Sequence, residues 1–186
     1  MFEGIRALFG SGDQQMQSVS LNDIIVEVLQ SLRIELEEHG VTVHAQLTAA
    51  QASHVDGHRT QLQQVLTNLI HNAVEAMDST TDRDRVLNVR TELHRRDAIK
   101  VAIEDSGPGI AQKQLNRMFG AFVSTKPSGM GLGLAICKMI IERHGGDISA
   151  LSDGRSGTIV QFILPISAPP TKKALPGHTL KRAQVR

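Results

Sequence analysis

From Gly129 to Gly146 the chain reads GMGLGLAICKMIIERHGG, with glycine at positions 129, 131 and 133 and then none before 145. Leu134, Ala135, Ile136, Met139 and Ile140 then recur at near-helical spacing, while Lys138, Glu142 and Arg143 fall on the other side. Glycine costs about 0.5–1 kcal/mol inside regular structure, so three before a helix need a reason. One reason is a tight turn. Another is a loop whose backbone N–H groups close on an anion at the helix start.

The rest of the pattern decides what this helix packs against. Leu21, Ile24, Ile25, Val28, Leu29, Leu32 and Leu36 predict an amphipathic helix over 21–40, ended by Gly40. VTVHAQL at 41–47 alternates like a strand, and a second helix is predicted from Arg59 to Met77. RVLNVRTEL (85–93) and AIKVAIED (98–105) read as a hairpin, and a short helix is expected at 111–118. DISALSD and GTIVQFILP then form a last hairpin that closes at Pro165. Helices mixed with antiparallel strands predict an α+β fold, a two-layer α/β sandwich.

Charge bears on partners. The net charge of +1 hides an uneven distribution: residues 168–186 hold five basic side chains and no acid, leaving 15 basic against 19 acidic elsewhere, a net of −4. A mildly acidic body argues against nucleic-acid binding. The basic segment has three of the six prolines and no periodicity, and is expected to be a disordered tail. No run of about 18 apolar residues is present, so no membrane contact is expected. A single cysteine, Cys137, falls within the apolar pattern of the last helix and reads as a small core residue, which fits a reducing cytoplasmic setting.

Two stretches carry chemistry. On the helix over 59–77, Leu62, Val65, Leu66, Leu69, Ile70, Ala73 and Met77 make the core face. Asn68 and Asn72 lie four apart on a polar edge beside Val65, with Glu75 on the same side. Their amides suit either a neighbouring loop or a Mg²⁺ ion, which takes oxygen ligands and keeps several waters. The second stretch, EDSGPGI, ends an apolar strand: Asp105 stands where the strand stops, and Gly107-Pro108-Gly109 turn the chain sharply. It is either a capped turn or a place where a carboxylate meets an exocyclic amine while a flat ring lies on the glycines.

In order, Asn-x-x-x-Asn on a helix, Asp-x-Gly-x-Gly after a strand, Phe119 and Phe122, Gly-x-Gly-x-Gly opening a helix, and Gly157-Thr158 in a strand resemble the catalytic ATP-binding domain of sensor histidine kinases. That domain is related to gyrase, the mismatch-repair ATPases and the ninety-kilodalton chaperone. QLQQVLTNLIHNAVEAM and STKPSGMGLGLAI are nearest to the nitrogen-regulation and oxygen-sensor type. The resemblance covers about residues 20–166. It implies a Bergerat-type sandwich with a mixed, mostly antiparallel sheet, three main helices and a mobile lid from about Gln112 to Met130.

The resemblance also implies roles. Asn72 would hold Mg²⁺, with Asn68 near the phosphates or the metal's water shell. Asp105 would bind the adenine amino group, with Thr158 completing a water network, and Gly107, Gly109 and Ile110 would shape the adenine pocket. Gly129, Gly131, Leu132, Gly133 and Leu134 would form the phosphate cradle, and Lys126 would be a lid cation on the γ-phosphate. Three positions depart from the family pattern: Ala121 where proline is usual in the phenylalanine box, Glu75 where a basic residue is frequent, and His58 where an acidic helix cap is usual.

None of the eight histidines is followed by an acidic residue, so no phosphoacceptor box of the His-Glu or His-Asp kind is present. GIRALFG resembles the final turns of a dimerisation helix. The expected organisation is therefore a remnant of that helix and a linker (1–19), an ATP-binding catalytic domain (20–166) and the basic tail (167–186). The chain would bind Mg²⁺-ATP and donate the γ-phosphoryl to a histidine on a separate dimerisation domain, and through it serve a response regulator. Alone it would be a monomer that does not label itself. An anti-sigma-type serine kinase and a non-enzymatic nucleotide-sensing module share the resemblance.

Overall fold

The computed structural model describes residues 16–48, 54–95, 97–123 and 131–167. Five strands form one sheet in the order β2-β4-β5-β7-β6: β2 (Val41–Leu47), β4 (Arg85–His94), β5 (Ala98–Asp105), β6 (Asp147–Ser152) and β7 (Thr158–Pro165). Only β2 and β4 run parallel; the other pairs are antiparallel. Helices α1 (Leu21–Ser31), α3 (Arg59–Met77) and α5 (Gly133–Arg143) cover one face, with the core between layers. The expected two-layer sandwich is what forms.

Alternation explains the layering. Ile99, Val101, Ile103 and Asp105 on β5 stand opposite Leu164, Phe162, Val160 and Thr158 on β7, so one sheet face carries the apolar set toward the helices. The other face holds Arg90 paired to Glu104 at 2.8 Å, and Lys100 paired to Glu92. Every residue expected on the core face of α3 is buried, joined by Val74.

The helix predicted over 21–40 is two helices, α1 and α2 (Arg33–Glu38). Ser31 Oγ donates to the Val28 carbonyl at 2.8 Å, the same carbonyl that receives the Leu32 N–H at 3.0 Å. Such back-bonding bends helices, and Leu32 leaves helical geometry at φ −92°, ψ 2°. Gly40, at φ +64°, ends α2 as expected. The short helix expected at 111–118 is confined to α4 (Gln112–Leu115) and continues as turns.

A second, two-stranded sheet pairs β1 (Gln17–Ser20) with β3 (His54–Gly57). Four-residue strands with partners 34 to 40 positions away leave no periodicity to detect. This pairing places Gln17–Ser20 inside the folded unit rather than in a linker. Ser20 then caps α1, its hydroxyl accepting the Asp23 N–H at 3.3 Å. Among the described residues no helix is long and apolar enough to cross a membrane.

Candidate functional site: a carboxylate corner and a helix start

Asp105 is the last residue of β5, paired across the sheet with Leu87 and Thr158. Its Oδ1 accepts the Gly107 N–H at 2.9 Å, and the Thr158 backbone also bonds the carboxylate. The side chain is buried, and burial raises its pKa above the ordinary value of 3.8 despite those bonds. A carboxylate kept at this cost needs a partner beyond its own turn.

The glycines around it are close-approach positions. A Cβ on Gly157, at φ +120°, would lie 2.0 Å from the Asp105 carbonyl oxygen. One on Gly107 would meet Asp105 Oδ1 at 2.8 Å and the Ala76 carbonyl at 3.2 Å, so the corner rests on the last turn of α3. Ile110 donates its N–H to Ser152 Oγ at 2.9 Å, and that hydroxyl donates to the Gly157 carbonyl at 2.6 Å. Ser152 thus ties the corner to the β6–β7 turn. A serine late in a strand gave no signal for this role in the sequence. Asp105, Gly157 and Thr158 line a cleft of about 370 Å³ together with Glu104, Leu115 and Ser152.

The second cluster lies between α3 and α5. Asn68 and Asn72 are half-buried on the polar edge of α3. Asn68 Nδ2 donates to Cys137 Sγ at 3.8 Å, and that thiol lies 4.0 Å from the Val65 carbonyl. Burial pushes the Cys137 thiol up to about 11, so it is a core residue as expected. Near the other ends of the helices, the His58 N–H donates to His144 Nε2 at 3.0 Å. These two ties make α3 and α5 antiparallel. Asn72 lies four residues beyond Asn68, and Gly133 four before Cys137, each a step of about 6 Å along its helix. Asn72 is therefore level with the start of α5.

That start is open. Leu132 precedes α5 without a side-chain cap, leaving the first N–H groups of the helix for another acceptor. A Cβ on Gly133 would meet nothing within 4 Å. Gly131, at φ +65°, lies where a Cβ would be 2.7 Å from the backbone of Phe122 and Val123. Asn72 makes no hydrogen bond among the described residues, so its amide oxygen is free for a hard cation; a single neutral oxygen suits Mg²⁺ completed by phosphates and water.

The structure gathers Asp105, Gly107, Gly109, Ile110 and Thr158 at the corner, and Asn68, Asn72, Gly131, Leu132, Gly133 and Leu134 along the helix pair. Of these residues Asp105 and Thr158 line the cleft and none of the second group does, and Gly107 lies against Ala76 on α3. Lys126 and Gly129 lie outside the described residues. His71 faces away from both groups, its Nε2 3.2 Å from Glu35 Oε2 on α2.

A buried carboxylate at a glycine corner, beside a helix edge bearing two asparagines and an uncapped helix start, defines a nucleotide-binding α/β sandwich of the ATPase kind. Residues 57–168, more than half of the chain, match the profile of the histidine kinase-, DNA gyrase B-, and HSP90-like ATPases, and the chain belongs to that family. The chain is 36% identical over 148 residues to the sensor protein TdiS of Thauera aromatica, covering 79% of this chain and 27% of TdiS. It therefore spans little more than a quarter of that relative. The catalytic domain of histidine kinase ThkA, solved free of nucleotide, superposes with a TM-score of 0.72 at 28% identity, over 82% of this chain and 99% of that one. ThkA in complex with the response regulator protein TrrA matches with a TM-score of 0.69 at 26% identity, over 82% of this chain and 42% of that one.

Proposed function

We propose that this chain is the catalytic domain of a sensor histidine kinase, which holds Mg²⁺-ATP and presents its γ-phosphoryl to a histidine on a separate dimerisation domain. The observation that carries this is the start of α5, uncapped among the described residues and level with Asn72, which has no partner among them. Asp105 accepts from the adenine amino group, with Thr158 beside it, and Gly107, Gly109 and Ile110 bound the ring. Backbone N–H groups from Gly131 to Leu134 hold phosphate oxygens at the positive end of α5. Asn72 offers its amide oxygen to Mg²⁺, and Asn68 orients water or phosphate beside it. When bound, Mg²⁺ neutralises charge on the phosphates. Lys126 adds a cation from the lid, and Gly129 adds backbone to the cradle.

Phosphoryl transfer of this kind needs positioning and charge neutralisation rather than a protein nucleophile. The acceptor histidine comes from the dimerisation domain, and the phosphorylated histidine then serves a response regulator in the cytoplasm, as the ThkA–TrrA complex supports by likeness. The test is transfer from γ-labelled ATP. The chain alone is expected to remain unlabelled, and a matching dimerisation domain added in trans is expected to acquire an acid-labile, base-stable phosphate in proportion to its concentration. Labelling of a partner's serine would instead assign an anti-sigma-type kinase, and nucleotide binding without transfer a sensing module.

A further inference from the structure

His144 is buried, yet no catalytic or binding role above uses it. It follows the last residue of α5, and both ring nitrogens have partners. Nδ1 lies 2.7 Å from the Ile140 carbonyl, so it carries the proton and donates. Nε2 accepts the His58 N–H at 3.0 Å, just before α3 begins. These partners assign a neutral imidazole with one tautomer. Space is reserved for it: a Cβ on Gly57 would lie 2.7 Å from His144 Cδ2 and 3.0 Å from Nε2. The His58 ring packs edge-on, its centroid 5.8 Å away.

His58 offers no side-chain cap to α3, and this contact satisfies the residue's own N–H, one of the orphan donors at the start of that helix. It fastens the beginning of α3 to the end of α5, while Asn68 and Cys137 meet midway. Asn72 lies fourteen residues beyond His58, about 21 Å along the helix. Two ties on an antiparallel pair fix its register, and sliding either helix would carry Asn72 away from the start of α5.

We propose that His144 is a positioning residue for the nucleotide site: as a neutral acceptor it locks α3 against α5 in the register that sets Asn72 beside the first turn of α5, and a second proton on the ring releases the lock. The inference rests on the nucleotide-binding reading. A doubly protonated ring would turn an N–H toward the His58 N–H and place positive charge at the positive start of α3. Burial is what chiefly opposes a second proton on the ring; the neighbouring His58, ahead of α3, and Arg143, on α5, act in the same direction, while the hydrogen bond to the Ile140 carbonyl favours it. Because the folded ring takes its second proton at a lower pH than the ordinary imidazole value of 6.5, the sign is fixed. Stability is lost as pH falls below 6.5 and stops falling once the ring's own lowered value is passed.

The experiment measures Mg²⁺-ATP affinity by calorimetry from pH 8 down through the ring's own titration for wild type, His144→Gln and His144→Leu, with melting curves showing each folded at the assay temperature and pH. Glutamine accepts the same N–H and does not titrate. At pH 8, His144→Gln is expected to bind within about twofold of wild type and His144→Leu about tenfold more weakly, a coupling of ordinary size. Once pH falls below the ring's own titration, located by ring ¹⁵N shifts on the same samples, the wild type should weaken several-fold more than His144→Gln; the comparison cancels titration of the nucleotide and of Asp105. A folded His144→Leu that binds like wild type, or wild-type and glutamine curves that fall in parallel, overturns the inference. Failure of the wild type to bind nucleotide at any pH overturns the nucleotide reading instead. Ring ¹⁵N spectra then judge the lock alone: a protonated Nδ1 with an accepting Nε2 at pH 7.5 supports it, and any other state there overturns it.

Discussion

Asp105→Asn separates a ligand acceptor from a turn residue, because affinity and stability should respond differently. The wild-type carboxylate is buried, receives the Gly107 N–H at 2.9 Å and the Thr158 backbone bond, and still has a raised pKa. A folded pKa above the unfolded 3.8 means that the group's stabilising contribution is complete below 3.8 and is lost as pH rises through the folded value. Above that value the ionised side chain therefore opposes folding relative to a neutral isostere. Asparagine removes that burden and keeps one oxygen for a backbone N–H, while weakening the other bond, so the changes offset. Toward adenine nothing offsets: an amide NH₂ replaces an acceptor facing the exocyclic amine, at a cost of about 1–3 kcal/mol. That corresponds to a rise of about 5- to 150-fold in Kd. Guanine nucleotides present a carbonyl there, so the ATP-to-GTP preference should also narrow. Calorimetric titration with both nucleotides reads the affinity, and thermal melting reads the stability. An unchanged ATP affinity would refute the adenine assignment. A fall in Tm beyond about 6 °C, roughly 2 kcal/mol for a chain of this size, would show that the carboxylate serves the corner itself.

Three further outcomes follow from the same geometry. Asn72→Ala should weaken ATP binding far more with Mg²⁺ than with EDTA, since a metal ligand is lost; equal losses in parallel titrations would make Asn72 a residue of the fold. Gly157→Ala forces a Cβ to within 2.0 Å of the Asp105 carbonyl oxygen at φ +120°, and should cost about 3 kcal/mol in urea unfolding; a neutral effect would contradict the close approach. Cys137, buried and with its thiol raised to about 11, should resist a disulfide reagent in the native state and react at the rate of opening as denaturant is added; rapid native labelling would place it outside the core.

The sequence by itself determined what depends on local pattern. The 3.6-residue repeat of Leu62, Val65, Leu66, Leu69, Ile70, Ala73 and Met77 set the bounds and buried face of α3, and with them the edge on which Asn68 and Asn72 stand. Alternation located β2, β4, β5, β6 and β7, and the spacing of Asp105, Gly107 and Gly109 marked the corner. Periodicity assigns a residue to a face but does not name its partner, and there the tertiary structure decided. It paired the four-residue strands β1 and β3, too short to show a repeat. It broke the first helix at Leu32 through a hydroxyl that shares a carbonyl. It brought Ser152 to the corner across forty-two positions. It turned His144, one histidine among eight in the sequence, into the acceptor for a backbone N–H eighty-six residues away. Such contacts are fixed only once helices and sheet have packed, because a buried polar atom takes whichever partner the closed core leaves within reach.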